Sequence, residues 1–403
     1  MFRLFSLCVL TAATLSFASA AAAEAPKIKI GVLEDNSGVY ADATGVGSTL
    51  ATQMAVEDSG LVEKGWKIEV IAADHQNKAD IASGIARKWF DAEGVDVIVG
   101  LGNSSVSLAV SQIAKEKNKV AIVTSGATSD LTGSACSPNT VHWTYDTYAL
   151  AKSTGTAMTK AGGDTWFFIA ADYAFGAALE RDTTAAIKKN GGKVIGSVKH
   201  PLNTSDFSSQ LLQAQSSGAK VVAFANAGAD ATNAIKQASE FGLKGKQKLA
   251  ALLMFLTDVE ALGLDAAQGL NLTSTFYWDL NDQTRAFTKR FSKRMRNGNV
   301  PTMPQAGTYS GTLHYLKTAA ALEGVVNDGA KVVAKMKQIP KDDPLFGKGI
   351  IRADGRAIHS VYLFQAKTPA ESKGRWDLYK PIGALTGEDG WRPLAEGGCA
   401  LVK

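Results

Sequence analysis

The sequence has 403 residues, of which 45% are hydrophobic and 20% charged, and its formal net charge is +5 from 43 basic and 38 acidic side chains. This is an ordinary globular composition with ample core material, and the length predicts two or three domains. The basic excess is small and unclustered, which leaves nucleic-acid binding without an electrostatic footprint.

Residues 1–23 differ from the rest. Arg3 gives a positive start, Leu4 to Phe17 is largely apolar, and Ala18-Ser19-Ala20-Ala21-Ala22-Ala23 offers small-residue cleavage sites. This is the pattern of a secretory signal peptide, cleaved after Ala23 or after Ala20. No later stretch approaches 18 consecutive apolar residues, so the mature chain is expected to be exported and soluble. Beyond the leader only Cys136 and Cys399 remain. In an exported chain such a pair reads as a disulfide, and two cysteines are too few for a four-ligand structural zinc site. If joined, they close a loop worth on the order of 4–5 kcal/mol.

Lys27 to Glu34 reads as a first strand, followed by the polar turn Asn36 to Tyr40 and a helix from Val46 to Asp58. Trp66 to Ala72 is a second strand ending in Asp74-His75-Gln76-Asn77, and Asp80 can cap a helix from Ile81 to Ala92. The β-branched run Val97-Ile98-Val99 breaks at Gly100-Leu101-Gly102-Asn103-Ser104-Ser105 and leads into a helix. A second apolar run, Val120 to Val123, ends in Ser125-Gly126-Ala127-Thr128. This is one βαβ unit of a parallel sheet. Its two hydroxyl-rich turns lie at the carboxyl ends of neighbouring strands, where open α/β sheets bind ligands. The first turn also opens a helix, whose free N–H groups and dipole attract anions. A carboxylate gains roughly 0.3–1 kcal/mol there when exposed and up to about 2 when partly buried. The plainer alternative makes Ser104 only an N-cap and Thr128 only a turn residue.

A second series repeats the pattern without repeating the sequence. A helix is predicted over Tyr148 to Lys160, a strand over Thr165 to Ala170, and a turn over Asp172 to Gly176. Strands at 193–199, 221–225 and 249–254 alternate with helices, and Asn226-Ala227-Gly228 is another small turn. The last third departs from this grammar. A strand is predicted over Leu270 to Trp278, and helices over 281–296, 305–326 and 330–337, the second with Tyr309, Leu313, Leu316 and Ala320 on one face. Gly349 to Gln365 reads as two strands around Ala353-Asp354-Gly355-Arg356. The fold class is thus α/β, with two doubly wound, mostly parallel sheets.

Catalytic signatures are weak. The chain lacks a P-loop, a G-x-S-x-G elbow and an H-E-x-x-H helix, and its two G-x-G fragments lack the context of a dinucleotide fingerprint. The five histidines are scattered, and no Asp, Glu, His or Cys set has metal-ligand spacing. The reading is a binding protein without cofactor or metal.

The signal peptide, KIKIGVLEDNSGVYADATG, GLGNSSVS, TSGATSDLTG and DYAFG appear in an order and spacing that resemble the periplasmic ligand-binding proteins of ABC importers, in the branched-chain amino acid family. The resemblance covers essentially the whole mature chain. It implies two lobes, 27–143 with 278–357 and 144–277 with 358–403, joined by three crossover strands near Trp143-Thr144, Tyr277-Trp278 and Ile358-His359. It implies a ligand in the cleft, its carboxylate on Ser104, Ser105, Gly126 and Thr128, with the second-lobe aromatic at Phe175. It also implies delivery to membrane permease subunits by a periplasmic protein, expected to be a monomer.

One departure from the family pattern is informative. Amino-acid-binding members hold the ligand ammonium with an acid after a late strand of the second lobe. Here that stretch reads Leu252-Leu253-Met254-Phe255-Leu256, with no acid before Asp258, and Ala227 stands where a further family aromatic falls. A buried ammonium would lack its partner. Aromatics crowd the expected crossings and cleft instead: Tyr40, Trp143, Tyr145, Tyr148, Phe175, Phe255, Tyr277 and Trp278. Three or four of them are expected to face a small carboxylate with an aromatic or otherwise apolar body. Tyr145, Asp172 or His75 would bond a hydroxyl at its far end, with Asn226 also in the site. Amino-acid binding by the same fold, a ligand-sensing domain and, last, a cleft enzyme are the alternatives.

Overall fold

The computed structural model describes residues 25–402; the expected signal peptide lies outside them. Five parallel strands form a first sheet: β1 (Lys27–Glu34), β2 (Lys67–Asp74), β3 (Val97–Gly100), β4 (Val120–Val123) and β5 (Thr140–His142). Their order is β2-β1-β3-β4-β5. Helices α1 (Gly45–Asp58), α2 (Ala79–Asp91) and α3 (Ser104–Glu116) connect them. The sequence dictates the centre of this sheet: every residue of β3 and β4 is buried, as continuous apolar runs require when helices cover both faces.

After β5 the chain passes through α4 (Thr147–Leu150), a wider helical turn at 151–155 and α5 (Thr156–Lys160) into a second parallel sheet. Its strands are β6 (Thr165–Ala171), β7 (Lys193–His200), β8 (Val221–Ala225) and β9 (Lys248–Ala251), in the order β7-β6-β8-β9. Helices α6 (Ala174–Lys189), α7 (Ser208–Ser216) and α8 (Gly228–Glu240) link them, followed by α9 (Leu256–Leu262) and α10 (Leu264–Ala267). β10 (Asn271–Ser274) then leads back to α11 (Asp282–Arg294), α12 (Met303–Ala321) and α13 (Gly329–Gln338), which belong to the first sheet's side. A hairpin of β11 (Lys341–Asp343) and β12 (Gly347–Gly349) follows, and β13 (Val361–Ala366) and β14 (Tyr379–Leu385) complete an antiparallel sheet with β10.

Three expectations are corrected. The helix predicted from 305 ends at Ala321, and it is buried on all sides rather than on one face, with 16 of its 19 residues inside. It sits between α1 and the crossing at Trp143, whose indole N–H donates to Ser310 Oγ at 2.9 Å. The strand predicted over 270–278 stops at Ser274, because Tyr277 and Trp278 turn away to bond the carbonyl of Trp376 at 3.2 and 2.7 Å. The predicted hairpin around Asp354 is a single bridge between Ile351 and Ala357, and the true hairpin is β11–β12. The 354 loop is shaped by buried arginines instead. Arg352 pairs with Asp354 at 2.5 Å. Arg356 donates to the Thr144 carbonyl at 3.1 Å, pairs with Asp146 at 3.4 Å and lies 4.2 Å over the Trp391 ring.

Cys136 and Cys399 are bonded, with Cα atoms 5.6 Å apart and a sequence separation of 263. Replacing both by serine releases that loop in the unfolded chain. A stability loss of about 2–5 kcal/mol is expected in denaturant unfolding, with ligand affinity unchanged. An unaltered midpoint would show that the bridge constrains nothing.

Candidate functional site

The first wall is built by strand ends of the first sheet. After β1, buried Asp35 accepts the N–H groups of Gly38 and Tyr40 at 2.7 and 2.9 Å and the Asn77 amide at 2.5 Å, which folds the turn and presents the Tyr40 ring. After β3, Leu101 is buried with φ +69°, a left-handed conformation that costs a branched residue roughly 1–3 kcal/mol. It is held there by its N–H on Leu33 O and by Ser107 Oγ on its own carbonyl, both at 2.8 Å. The N-cap of α3 is Asn103, not Ser104: its side chain accepts from Ser105 N and Val106 N at 2.9 and 3.2 Å. Ser104 is thereby left as the first helical residue, its hydroxyl accepting the Thr128 N–H at 3.1 Å across the two turns. Gly126 is required for that approach, because a Cβ there would stand 1.8 Å from Ser107 Oγ.

The second sheet supplies the opposite wall from the turns after β6, β8 and β9. Together Tyr40, Gly102, Ser104, Ser125, Ala127, Tyr145, Tyr173, Phe175, Ala227, Leu253 and Phe255 line a narrow cavity. The Tyr40 and Tyr173 hydroxyls meet across it at 2.6 Å. Tyr145 and Phe255 rings pack edge to face at 6.0 Å, and Tyr173 and Phe175 rings are also 6.0 Å apart. No lining side chain carries a formal charge. The polar groups on this wall are neutral: the helix N-terminus at Ser104, the serine hydroxyls, and the Ser104 and Ala127 N–H groups, which have no protein acceptor among the described residues.

Two acids stand just behind the walls. Asp258 is buried and accepts the N–H groups of Phe255 and Gly228 at 2.9 and 3.2 Å, tying two turns together; burial pushes its pKa up to about 7. Glu34 is buried beneath Gly102 and Ser125, and burial, only partly offset by the Ser125 and Ser48 hydroxyls, pushes its pKa up to about 8. Among the described residues no group of three or more His, Cys, Asp or Glu side chains is arranged to hold a metal ion.

Of the expected site residues, the structure brings Tyr40, Ser104, Tyr145, Phe175 and Phe255 to the cavity. The others lie outside its lining. Ser105 and Gly126 serve the turns. Thr128 directs its hydroxyl to Asp130. His75 accepts the Asn77 N–H on Nδ1, and burial lowers its pKa to about 4. Asp172 is exposed and pairs with Lys199 at 3.0 Å. Tyr148 faces a separate surface hollow with Lys152 and Glu396. Asn226 bonds His200 at 3.1 Å. Tyr145 lines the cavity with its ring, but its O–H is committed to the Ser125 carbonyl at 2.6 Å. Tyr173, Gly102, Ser125, Ala127, Ala227 and Leu253 were not named as contacts, although they lie in stretches read as part of the site; Tyr173 is adjacent to Asp172 and carried its own signal as a second aromatic before Phe175-Gly176.

A sequence profile described as a periplasmic binding protein matches residues 27–375. The chain is 48% identical to a periplasmic binding protein from Burkholderia mallei, with TM-score 0.89 over 94% of this chain and 100% of that one. It is 39% identical to a branched chain amino acid ABC transporter periplasmic ligand-binding protein from Burkholderia xenovorans LB400, with TM-score 0.81 over 93% and 100%. It is 27% identical to Leu/Ile/Val-binding protein homolog 6 of Brucella melitensis, over 88% of this chain and 91% of the relative.

The Glu34 environment makes a stability prediction. A carboxyl whose pKa rises from 4.5 to about 8 on folding stabilises the fold fully only below the lower value, and that contribution is lost as pH rises through the upper one. Between them the slope approaches about 1.4 kcal/mol per pH unit. Glu34→Gln has no such titration, so relative to wild type it should gain stability steadily from pH 5 to pH 8 in denaturant melts. A constant difference would mean Glu34 is ionised in the fold.

Proposed function

Because the chain belongs to the periplasmic binding proteins, ABC-type solute-binding proteins, we propose that its ligand is a small carboxylate with an aromatic or similarly apolar body, captured by lobe closure and delivered to a membrane permease. The observation that carries this reading is the wall without charge. A free α-ammonium would be buried against Tyr40, Tyr145, Tyr173, Phe175, Leu253 and Phe255 with no lining acid to meet it, which is costly. A carboxylate needs only oriented N–H and O–H donors, which the Ser104 helix end and its neighbouring turn supply. The ring would lie against Phe175, Phe255 and Tyr145. The Tyr40–Tyr173 pair uses one phenolic proton internally and has a second to offer an oxygen on the ligand.

We take the lobes as 27–143 with 278–357 and 144–277 with 358–403. Ligand bridges them and shifts the open–closed equilibrium by its preference for the closed form. Contacts between the two sides accompany this: Ala229 N–H donates to Val39 O at 3.2 Å, and Arg181 pairs with Asp130 at 3.0 Å. Micromolar affinity would need about −8 kcal/mol. The second reading is a branched-chain amino acid, favoured by the relatives' names. Among the described residues no helix is long and apolar enough to cross a membrane.

A thermal-shift screen tests the reading. Benzoate, cinnamate or phenylpyruvate should raise the melting temperature, and leucine and valine should not; a shift with leucine alone would reverse the ligand assignment. Ser104→Ala removes one hydrogen bond to a charged group and should weaken the best acid about 10- to 100-fold by calorimetry. Tyr173→Phe should weaken ring-hydroxylated acids more than their unsubstituted parents.

A further inference from the structure

Beneath the cavity lies an acid that simple anion capture does not use. Glu34 ends β1 and is 1% exposed. Its Oε1 lies 2.6 Å from Ser125 Oγ and 3.1 Å from Ser48 Oγ, while Oε2 makes no well-formed hydrogen bond and has only the Gly102 N–H to favour its charge. A Cβ on Gly102 would stand 2.6 Å from Oε2, so glycine is what lets the carboxyl lie directly behind the wall. Gly102 and Ser125 both face the cavity. Glu34 is therefore one side chain away from the position read above as the carboxylate subsite.

No cation pairs with it among the described residues. The titratable groups facing it are Asp35, already committed to Gly38, Tyr40 and Asn77, and the Tyr145 phenol, which burial holds well above its ordinary range. From α1 it meets the Ser48 hydroxyl, and from the β3–α3 turn Gly100 and Gly102. An isolated buried carboxylate is disfavoured, in line with the raised pKa.

The protonation state decides which way Ser125 points. An ionised Glu34 only accepts, so the Ser125 proton must turn towards it and the cavity sees lone pairs. A neutral Glu34 has one O–H to give. Given to Ser125 Oγ, it frees the serine proton for an acceptor in the cavity. We propose that Glu34 is a positioning residue that carries the proton orienting the Ser125 hydroxyl towards the ligand carboxylate. This rests on the reading of the ligand as a carboxylate. No proton is transferred in the step; one is held at Glu34 and one is shared between Ser125 and the ligand.

The test is calorimetric affinity of the mature protein for the best binder among benzoate, cinnamate and phenylpyruvate, from pH 6 to 9.5. Wild type should bind evenly to about pH 7.5 and then lose affinity, approaching tenfold per pH unit above pH 8. Glu34→Gln keeps a neutral donor for Ser125, so it should bind within about threefold of wild type at pH 7 and stay level to pH 9.5. Ser125→Ala should bind at least tenfold more weakly at pH 7, with a level profile. A level wild-type profile, or a loss beyond tenfold in Glu34→Gln at pH 7, overturns the proposal while leaving the carboxylate ligand in place. If wild type binds none of the acids but binds leucine, the ligand reading itself fails and the proposal falls with it; loss of leucine binding in Glu34→Gln would then make Glu34 the ammonium's counter-charge.

Discussion

The carboxyl ends of two parallel sheets point at each other across a narrow cavity, and neither brings a formal charge to the wall. That constraint shapes everything near the cavity. On the carboxylate reading, attraction for the ligand comes from backbone N–H groups, a helix end and hydroxyls, which requires the turns to be held in one conformation. The strained Leu101, the Asn103 cap and the bond from Thr128 N–H to Ser104 Oγ are the means. In a poorly solvated site such fixed dipoles are strong while leaving an ammonium without a counter-charge.

The charges near the site work from behind it. Asp35 and Asp258 each gather backbone N–H groups of the turns that carry lining residues. Arg356 does the same for the crossing after β5. It is fully buried, its pKa lowered by burial to about 10, and it joins Thr144, Asp146 and Trp391 at the place where the chain passes between the sheets. Removing either partner of such a buried pair leaves an uncompensated charge, which makes the pair a rigid fixture of the crossing.

The sheet centres were legible because β3, β4 and β8 are continuous apolar runs, which parallel strands covered on both faces require. The turns after β3 and β4 were legible for the same reason: they end those runs. Individual side chains within the turns were not, because direction there depends on backbone angles rather than periodicity. Thr128 and Ser104 look alike in sequence, yet one hydroxyl caps Asp130 and the other stands at the cavity. Asp172 drew attention by its charge, while its neighbour Tyr173 is the residue that turns inward. Glu34 looked like an ordinary strand end; it is buried against Gly100 and Gly102, where a Cβ would stand 2.6 Å from one or other of its carboxyl oxygens. α12 misled through its one-sided apolar pattern, since its small and hydroxylated residues pack inside as well.

The most direct test of the account compares two ligands that differ only by an ammonium: 3-phenylpropanoate and phenylalanine, measured by calorimetry on the mature protein at pH 7. The account predicts that 3-phenylpropanoate binds at least a hundredfold more tightly, because the extra charge in phenylalanine has no partner in the wall. Equal affinities, or a preference for phenylalanine, would contradict it.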